Sequence, residues 1–280
     1  MTLPKSRVPI IARPDVLVVG GGSAGLSAAV AAARAGADVI LLERFNYLGG
    51  LATGGLIILL LTLDDGAGRQ VIGGLCQEIV DRMEKRDGVY YPPKDQWGDP
   101  DPKLVEHCSR WGLIWGSGPH RVRYSVAFDP HAFISAADQM VAEAGVRVLY
   151  QTWACEPVVE DSRITAIVIQ NKAGRQAIAP RVVIDTTGDG DIFAAAGEPY
   201  DLEHVHPWLW FLMSNVRDIE KALDSRRGFF FKSIGEGHAL VPWGGEGRVR
   251  RKIDATNPTE LSEALAECRQ MVAEEAARLK

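Results

Sequence analysis

The stretch DVLVVGGGSAGLSAAVAAARAGADVILLER occupies residues 15–44 and contains three predicted elements. Residues 15–19 form a continuous aliphatic run, which is typical of a strand buried on both faces. The alanine-rich residues 26–35, closed by Gly36, predict a helix. Residues 38–42 predict a second buried strand. The order strand, helix, strand predicts a parallel βαβ unit with a right-handed crossover.

The glycines between the first strand and the helix have the spacing of a dinucleotide-binding turn. Gly20 permits a tight turn out of the strand, and Gly25 lets the helix pack closely on it. Gly22 has no side chain, so a pyrophosphate can approach the backbone there. The first N–H groups of the helix then face the phosphates. The predicted phosphate site comprises Gly20, Gly22, Ser23, Ala24 and Gly25.

An acidic residue follows the second strand. Glu43 lies 23 positions after Gly20, where a carboxylate accepts hydrogen bonds from the adenosine ribose hydroxyls. Arg44, the next residue, is included in the predicted site. A glycine-rich turn of an unrelated α/β protein is disfavoured, because every element of the fingerprint is present in order. NAD and FAD both use this fingerprint, so it leaves the choice of dinucleotide open.

Four stretches together resemble a known family. The chain resembles FAD-dependent oxidoreductases of the glutathione-reductase-like fold, particularly the bacterial FAD-dependent oxidoreductase group. The similar stretches are residues 15–44, YLGGLATGGL at 47–56, FDP at 128–130 with the helix and strand that follow it to residue 150, and VIDTTGDGD at 183–191.

The resemblance implies that FAD is the cofactor and assigns further residues to its site. It places the glycine doublet near the ribose and pyrophosphate, the next segment near the isoalloxazine ring, and a Thr-Gly turn at a second dinucleotide motif. These residues are Gly49 and Gly50, then Ala52, Thr53 and Gly54, then Thr187, Gly188 and Asp189. Taken alone, the Thr-Gly turn is also compatible with an ordinary capped turn between a strand and a helix.

The predicted fold class is α/β, with a doubly wound parallel sheet forming a Rossmann-like FAD-binding domain that carries a β-meander. This domain takes residues 14–85 and 130–197, and residues 86–129, rich in proline, form an irregular insertion. Residues 198–280 begin an α+β substrate domain that ends in an amphipathic helix.

The terminal helix has a recognisable start and one apolar stripe. Asn257 is the predicted N-cap, followed by Pro258 at the first helical position. The stripe is formed by Leu261, Leu265, Cys268, Met271, Val272 and Leu279. The resembled family continues with a strand that returns to the FAD domain, and we identify none after residue 200. We therefore expect an incomplete substrate domain, in a fragment or in a chain completed by a partner subunit or a homo-oligomer.

Composition excludes several classes of protein. There are 31 Lys and Arg against 36 Asp and Glu, so the net charge is −5 and nucleic-acid binding is disfavoured. The longest apolar run, residues 56–63, is too short to span a membrane.

The four cysteines form no CxxC pair, which predicts reduced thiols and a cytoplasmic location. His204 and His206 lack a third ligand of clear spacing, so we predict no metal.

The predicted function is that of a FAD-dependent oxidoreductase. It would transfer a hydride or two electrons between a small organic substrate and the flavin. No motif places a catalytic acid or base near the flavin. Two alternatives stay open: a non-catalytic FAD-binding subunit or fragment, and a NAD-dependent dehydrogenase.

Overall fold

The chain divides into two compact units. The computed structural model describes residues 7–116, 118–225, 228–245 and 247–279. The first unit comprises Met1–Gly54 and Phe133–Tyr200, and the second comprises Gly55–Ala132 and Asp201–Lys280. Residues 55–85 thus group with the second unit, although the sequence analysis assigned them to the FAD-binding domain. The functional domain boundaries stay a prediction.

In the described part of the chain the strands are two to nine residues long and the α-helices five to twenty-two residues long. The strands are β1 (Ile10–Ala12), β2 (Val16–Val19), β3 (Val39–Leu42), β4 (Leu59–Leu60), β5 (Val89–Tyr90), β6 (Val126–Phe128), β7 (Arg147–Leu149), β8 (Trp153–Glu160), β9 (Arg163–Asn171), β10 (Gly174–Ile178), β11 (Val182–Asp185), β12 (Phe211–Met213), β13 (Phe231–Lys232) and β14 (Ala239–Val241). The helices are α1 (Ser23–Arg34), α2 (Leu75–Glu84), α3 (Pro102–Arg110), α4 (Pro130–Ala144), α5 (Asp191–Ala195), α6 (Ile219–Asp224) and α7 (Pro258–Leu279).

The first unit contains a parallel sheet and an antiparallel meander. The parallel sheet has the order β11-β2-β3-β7, and all its pairs are parallel. This confirms the predicted βαβ unit, whose strands β2 and β3 are almost wholly buried. The second sheet has the order β1-β10-β9-β8, in which β8, β9 and β10 pair antiparallel. The predicted meander is therefore confirmed.

The core of the first unit joins these two sheets. One face of the parallel sheet packs against one face of the meander and against α5. The buried members of this cluster are Leu17, Val19, Ile40, Leu42, Ile167, Ile169, Ile178 and Ile192. The packing fixes the carboxyl ends of β2, β3 and β11, where the turns that carry the predicted site begin.

The second unit contains two small antiparallel sheets, with the orders β4-β6-β5 and β12-β14-β13. It also contains helix α3, which the sequence analysis missed when it predicted an irregular insertion over residues 86–129. Asp101 caps this helix by accepting a hydrogen bond from the N–H of Lys103, and Pro102 occupies the first turn. Proline here starts a helix instead of interrupting one.

The terminal helix α7 packs within the second unit. Asn257 Oδ1 accepts the N–H groups of Thr259 and Glu260 at 3.1 and 3.3 Å, which confirms the predicted N-cap. Cys268 is buried in a cluster with Val241, Trp243 and Val249, and other stripe residues pack around it. The stripe therefore already has a packing surface, and the expected incompleteness of the second domain is not confirmed.

Candidate functional site

The turn after β2 is shaped by its own glycines. Gly20 has a φ of +101°, and a Cβ there would lie 2.8 Å from the carbonyl carbon of Thr186. A Cβ at Gly25 would overlap the carbonyl oxygen of Gly20. A Cβ at Gly22 would meet no atom of the described residues within 4 Å. The chain itself therefore requires Gly20 and Gly25, whereas the space beside Gly22 is open.

A second glycine segment lies directly against this turn. Gly49 donates its N–H to the carbonyl of Gly21 at 2.8 Å, and Gly22 and Gly49 form a parallel bridge. A Cβ at Gly50 would lie 3.1 Å from the Cα of Gly22. The structure thus brings together two stretches that are more than twenty residues apart in the sequence, and the implied position of the doublet near a ribose and pyrophosphate stays a prediction.

The first turn of α1 faces the same open space. Gly22 is the N-cap residue, and no side chain caps the helix. Ser23 and Ala24 are exposed at its first turn. Because the first N–H groups of a helix lack intrahelical partners and carry a partial positive charge, this end favours an anion. The arrangement is suited to a pyrophosphate held by backbone donors.

Glu43 supports the turn in a way that sequence reasoning missed. Its side chain is buried, with the residue only 5% exposed. Oε2 accepts the N–H of Gly21 and Oε1 accepts the N–H of Phe45, each at 2.8 Å. Each carboxylate oxygen can accept a further hydrogen bond. The predicted contact between Glu43 and a ribose hydroxyl is compatible with this geometry and stays a prediction.

We expect Glu43→Ala to affect both stability and cofactor binding. Removing the carboxylate leaves two backbone donors without acceptors, which costs about 1–3 kcal/mol of unfolding free energy. FAD binding should weaken by roughly 10- to 100-fold, because a buried ribose hydroxyl also loses its acceptor. Urea unfolding and FAD titration of the apoprotein measure the two effects. Glu43→Gln keeps one acceptor oxygen, so it should lose less unfolding free energy and less FAD affinity than Glu43→Ala. An unchanged dissociation constant for FAD in Glu43→Ala would show that Glu43 is not part of the site.

Arg44 lies among aromatic rings that the sequence analysis did not assign to the site. Its guanidinium carbon is 5.1 Å from the ring centroid of Phe45 and 5.5 Å from that of Trp153. Trp153 is 54% exposed. The pKa of Asp191 is raised, because its partial burial and the charge of Asp189 outweigh the opposing effect of the Arg44 charge. Arg44 is thus near enough to the turn after β11 to influence its charges.

The turn after β11 is fixed by two residues that sequence reasoning did not single out. Asp185 Oδ1 accepts the N–H and the hydroxyl of Thr187, and Oδ2 accepts the N–H groups of Ile192 and Phe193. Thr186 donates its hydroxyl to the carbonyl oxygens of Val19 and Gly20. These bonds hold the turn beside the end of β2.

The predicted members of that turn are partly or fully accessible. Gly188 and Asp189 are exposed, and Thr187 is half-buried. Within the part of the chain that the structure describes, a Cβ at Gly188 would meet no atom within 4 Å. The turn therefore offers open backbone beside the glycines that follow β2.

Ala52 and Thr53, which follow the glycine doublet, turn their side chains inward. Thr53 is buried and donates its hydroxyl to the carbonyl of Leu48 at 2.9 Å. Ala52 is also buried, and a Cβ at Gly54 would collide with the Tyr47 ring. These residues support the doublet with their packing. The implied proximity of residues 52–54 to an isoalloxazine ring stays a prediction.

A metal site at His204 and His206 gains no support in the part of the chain that the structure describes. There, no group of three or more His, Cys, Asp or Glu side chains is arranged to hold a metal ion. His206 Nδ1 lies 2.7 Å from the carbonyl oxygen of Val249. A search of the same residues finds no helix with the length and apolar character needed to cross a membrane.

A parallel sheet with glycine turns at the ends of neighbouring strands defines a dinucleotide-binding protein. The family model described as FAD dependent oxidoreductase matches residues 15–273. The chain belongs to this family, and FAD is the cofactor that the family assigns to it.

Curated relatives share part of the chain. Thiamine thiazole synthase of Aeropyrum pernix is 31% identical over 158 residues, covering 56% of this chain and 44% of the relative. L-aspartate oxidase of Mycobacterium tuberculosis is 29% identical over 198 residues, covering 66% of this chain and 37% of the relative. The chain therefore spans less than half the length of these relatives.

Solved structures share the fold at low sequence identity. p-Nitrophenol 4-monooxygenase from Pseudomonas putida matches with a TM-score of 0.56 and 14% identity, covering 96% of this chain and 64% of that chain. A geranylgeranyl bacteriochlorophyll reductase-like protein from Thermoplasma acidophilum matches with a TM-score of 0.54 and 19% identity, covering 91% of this chain and 61% of that chain. At these identities the likeness concerns the fold alone.

Proposed function

We propose that the first unit binds FAD with its pyrophosphate beside Gly20–Gly25 and its adenosine ribose beside Glu43. The observation that carries this proposal is the open space at Gly22, bounded by the uncapped start of α1 and by Gly49. The doublet Gly49-Gly50 would pass the ribose and pyrophosphate, and the turn at Thr187–Asp189 would face the cofactor from the end of β11.

The residues present fit this cofactor. A diphosphate needs donors and a positive potential, and the start of α1 supplies both. It also needs a backbone without side chains at the point of approach, which Gly22 and Gly188 provide. When bound, FAD supplies two-electron chemistry at its isoalloxazine ring. The chain's own residues bind and orient the dinucleotide.

We further propose that the protein is an oxidoreductase acting on a small organic molecule. Membership of the FAD dependent oxidoreductase family supports this reaction class. The names of the curated relatives, a thiamine thiazole synthase and an L-aspartate oxidase, support small metabolites as the substrate class. We assign no catalytic acid or base.

The proposal is tested by identifying the bound cofactor and then reducing it. Heating the purified chain should release FAD, close to one equivalent per chain, and no NAD. Under anaerobic conditions an organic substrate should bleach the yellow flavin, and air should restore the colour; L-aspartate is a reasonable first probe. Release of NAD in place of FAD would overturn the cofactor assignment. A third outcome is that dithionite reduces the bound FAD but no organic substrate from a broad metabolite set reduces it. That outcome would favour the non-catalytic subunit.

We also propose a cytoplasmic location. All four cysteines are free thiols, which is the usual state in a reducing compartment. A partner subunit or a homo-oligomer that completes the substrate site stays a prediction.

A further inference from the structure

The segment that follows β7 lies against the end of β3, next to the proposed ribose contact. β7 is the neighbour of β3 in the parallel sheet. Glu43 donates its N–H to the carbonyl of Leu149 and accepts the N–H of Thr152, both at 3.0 Å. Gln151 donates its N–H to the carbonyl of Phe45 at 3.1 Å. These bonds fix the start of β8 beside the end of β3.

Trp153 is an exposed aromatic residue at this start of β8, and it is 54% exposed. The next residue, Ala154, packs against the core of the first unit. Because side chains alternate along a strand, the Trp153 ring lies on the opposite face of the meander from that core. A large aromatic side chain that the core does not use is available for contact with a planar ligand.

Arg44 adds a planar cation to this surface. Its guanidinium carbon lies 5.5 Å from the ring centroid of Trp153 and 5.1 Å from that of Phe45, which is itself 43% exposed. The Arg44 side chain makes no hydrogen bond and no ion pair with the residues that the structure describes. A guanidinium plane stacks on aromatic faces, and its donors are not otherwise occupied. We call Arg44, Phe45 and Trp153 the aromatic platform.

The proposed position of FAD leads its adenine toward the aromatic platform. The pyrophosphate is proposed beside Gly22, at the end of β2, and the ribose beside Glu43, at the end of β3. In the sheet order β11-β2-β3-β7, the next strand in this direction is β7. Adenine is attached to the ribose and not to the pyrophosphate, so it extends past β3 toward the end of β7. The platform lies at that end.

We propose that the adenine ring of FAD stacks on the aromatic platform, with Trp153 and Arg44 as its contact residues. This inference rests on the proposed FAD site and adds to it the surface that binds the base. The Trp153 ring supplies apolar area, and the Arg44 guanidinium supplies a cation–π contact with the base. Stacking of this kind contributes affinity without hydrogen bonds to the base edges.

Titration of the apoprotein with FAD and with ADP tests this contact. Both ligands carry the adenine ring, so Trp153→Ala should weaken the binding of both by about 5- to 100-fold. Urea unfolding should show little change, because the side chain is exposed. Trp115→Ala is the matched control, because Trp115 is 45% exposed and belongs to the second unit. Undiminished FAD affinity in Trp153→Ala, or an equal loss in the control, would contradict the proposal.

Trp153→Phe distinguishes stacking from a structural role of the side chain. The variant keeps an aromatic ring, so its affinity for ADP should stay within about threefold of the wild type. ADP should quench part of the emission of the wild-type protein, which has seven tryptophans. This quenching should be lost in Trp153→Phe although ADP still binds. Full quenching by ADP in Trp153→Phe would overturn the contact between Trp153 and adenine.

Arg44→Lys keeps the positive charge and removes the planar guanidinium. We expect the affinity for FAD and ADP to fall by about 3- to 10-fold. Wild-type affinity in Arg44→Lys would show that Arg44 acts through its charge alone and would contradict its stacking role. Failure of the wild-type apoprotein to bind FAD at all would instead contradict the proposed function, so the two failures are distinguishable.

Discussion

Gly22→Val should abolish FAD binding while leaving the chain folded. The Gly22 backbone is extended, with φ −67° and ψ −175°, which valine adopts readily. A Cβ there meets no atom of the residues that the structure describes within 4 Å, so the side chain enters open space. We propose that the pyrophosphate of FAD lies in this space. We expect affinity to fall by at least ~100-fold, or about 2.8 kcal/mol.

Equilibrium titration of the apoprotein with FAD measures this loss, and urea unfolding verifies the fold. Gly247→Val is the matched control, because a Cβ at Gly247 likewise meets none of the described atoms within 4 Å. The control should keep both its stability and its FAD. A folded Gly22→Val protein with undiminished FAD affinity would show that the pyrophosphate lies elsewhere.

Gly25→Ala should destabilise the fold itself. Alanine favours a helix over glycine by about 1 kcal/mol, so propensity alone predicts a more stable protein. The added Cβ, however, would overlap the carbonyl oxygen of Gly20 and lie 2.7 Å from Thr186 Oγ1. The obstacle is largely backbone, which cannot rotate away, and overpacking of this kind costs about 3 kcal/mol or more. The clash therefore outweighs the propensity.

Urea denaturation of the apoprotein measures the effect of Gly25→Ala without interference from the cofactor. Gly22→Ala is the control, since it adds the same methyl group in the same turn where space is free. We expect a large fall in unfolding free energy for Gly25→Ala and little change for Gly22→Ala. Equal stability of the two variants would contradict the described packing of α1 on β2.

Local patterns predicted the fold of the first unit well. The βαβ unit follows from hydrophobic runs, alanine and glycine spacing within residues 15–44, all of which act over short sequence distances. Helix α3 was missed because prolines were interpreted as breakers, although Asp101-Pro102 is a helix start. The grouping of residues 55–85 with the second unit has a different basis. Leu59 pairs with Ala127 across a long sequence separation, which no local pattern reveals.

In the candidate site, local sequence patterns likewise predict some residues, and other contacts depend on the three-dimensional structure. Gly20, Gly22 and Gly25 could be identified because their roles follow from spacing within one turn. The acceptor role of Glu43 toward two backbone N–H groups depends on its side-chain orientation. Trp153 comes near Arg44 only through the pairing of distant segments. Sequence therefore predicts which turns belong to the candidate site, and the structure adds the contacts that support those turns.

A crystal structure of this chain with FAD tests the central claim most directly. We expect pyrophosphate density beside Gly22, with phosphate oxygens about 2.7–3.2 Å from the first backbone N–H groups of α1. We also expect the adenosine ribose within hydrogen-bond distance of Glu43. Pyrophosphate bound away from Gly20–Gly25, with the space beside Gly22 filled only by water, would contradict the account.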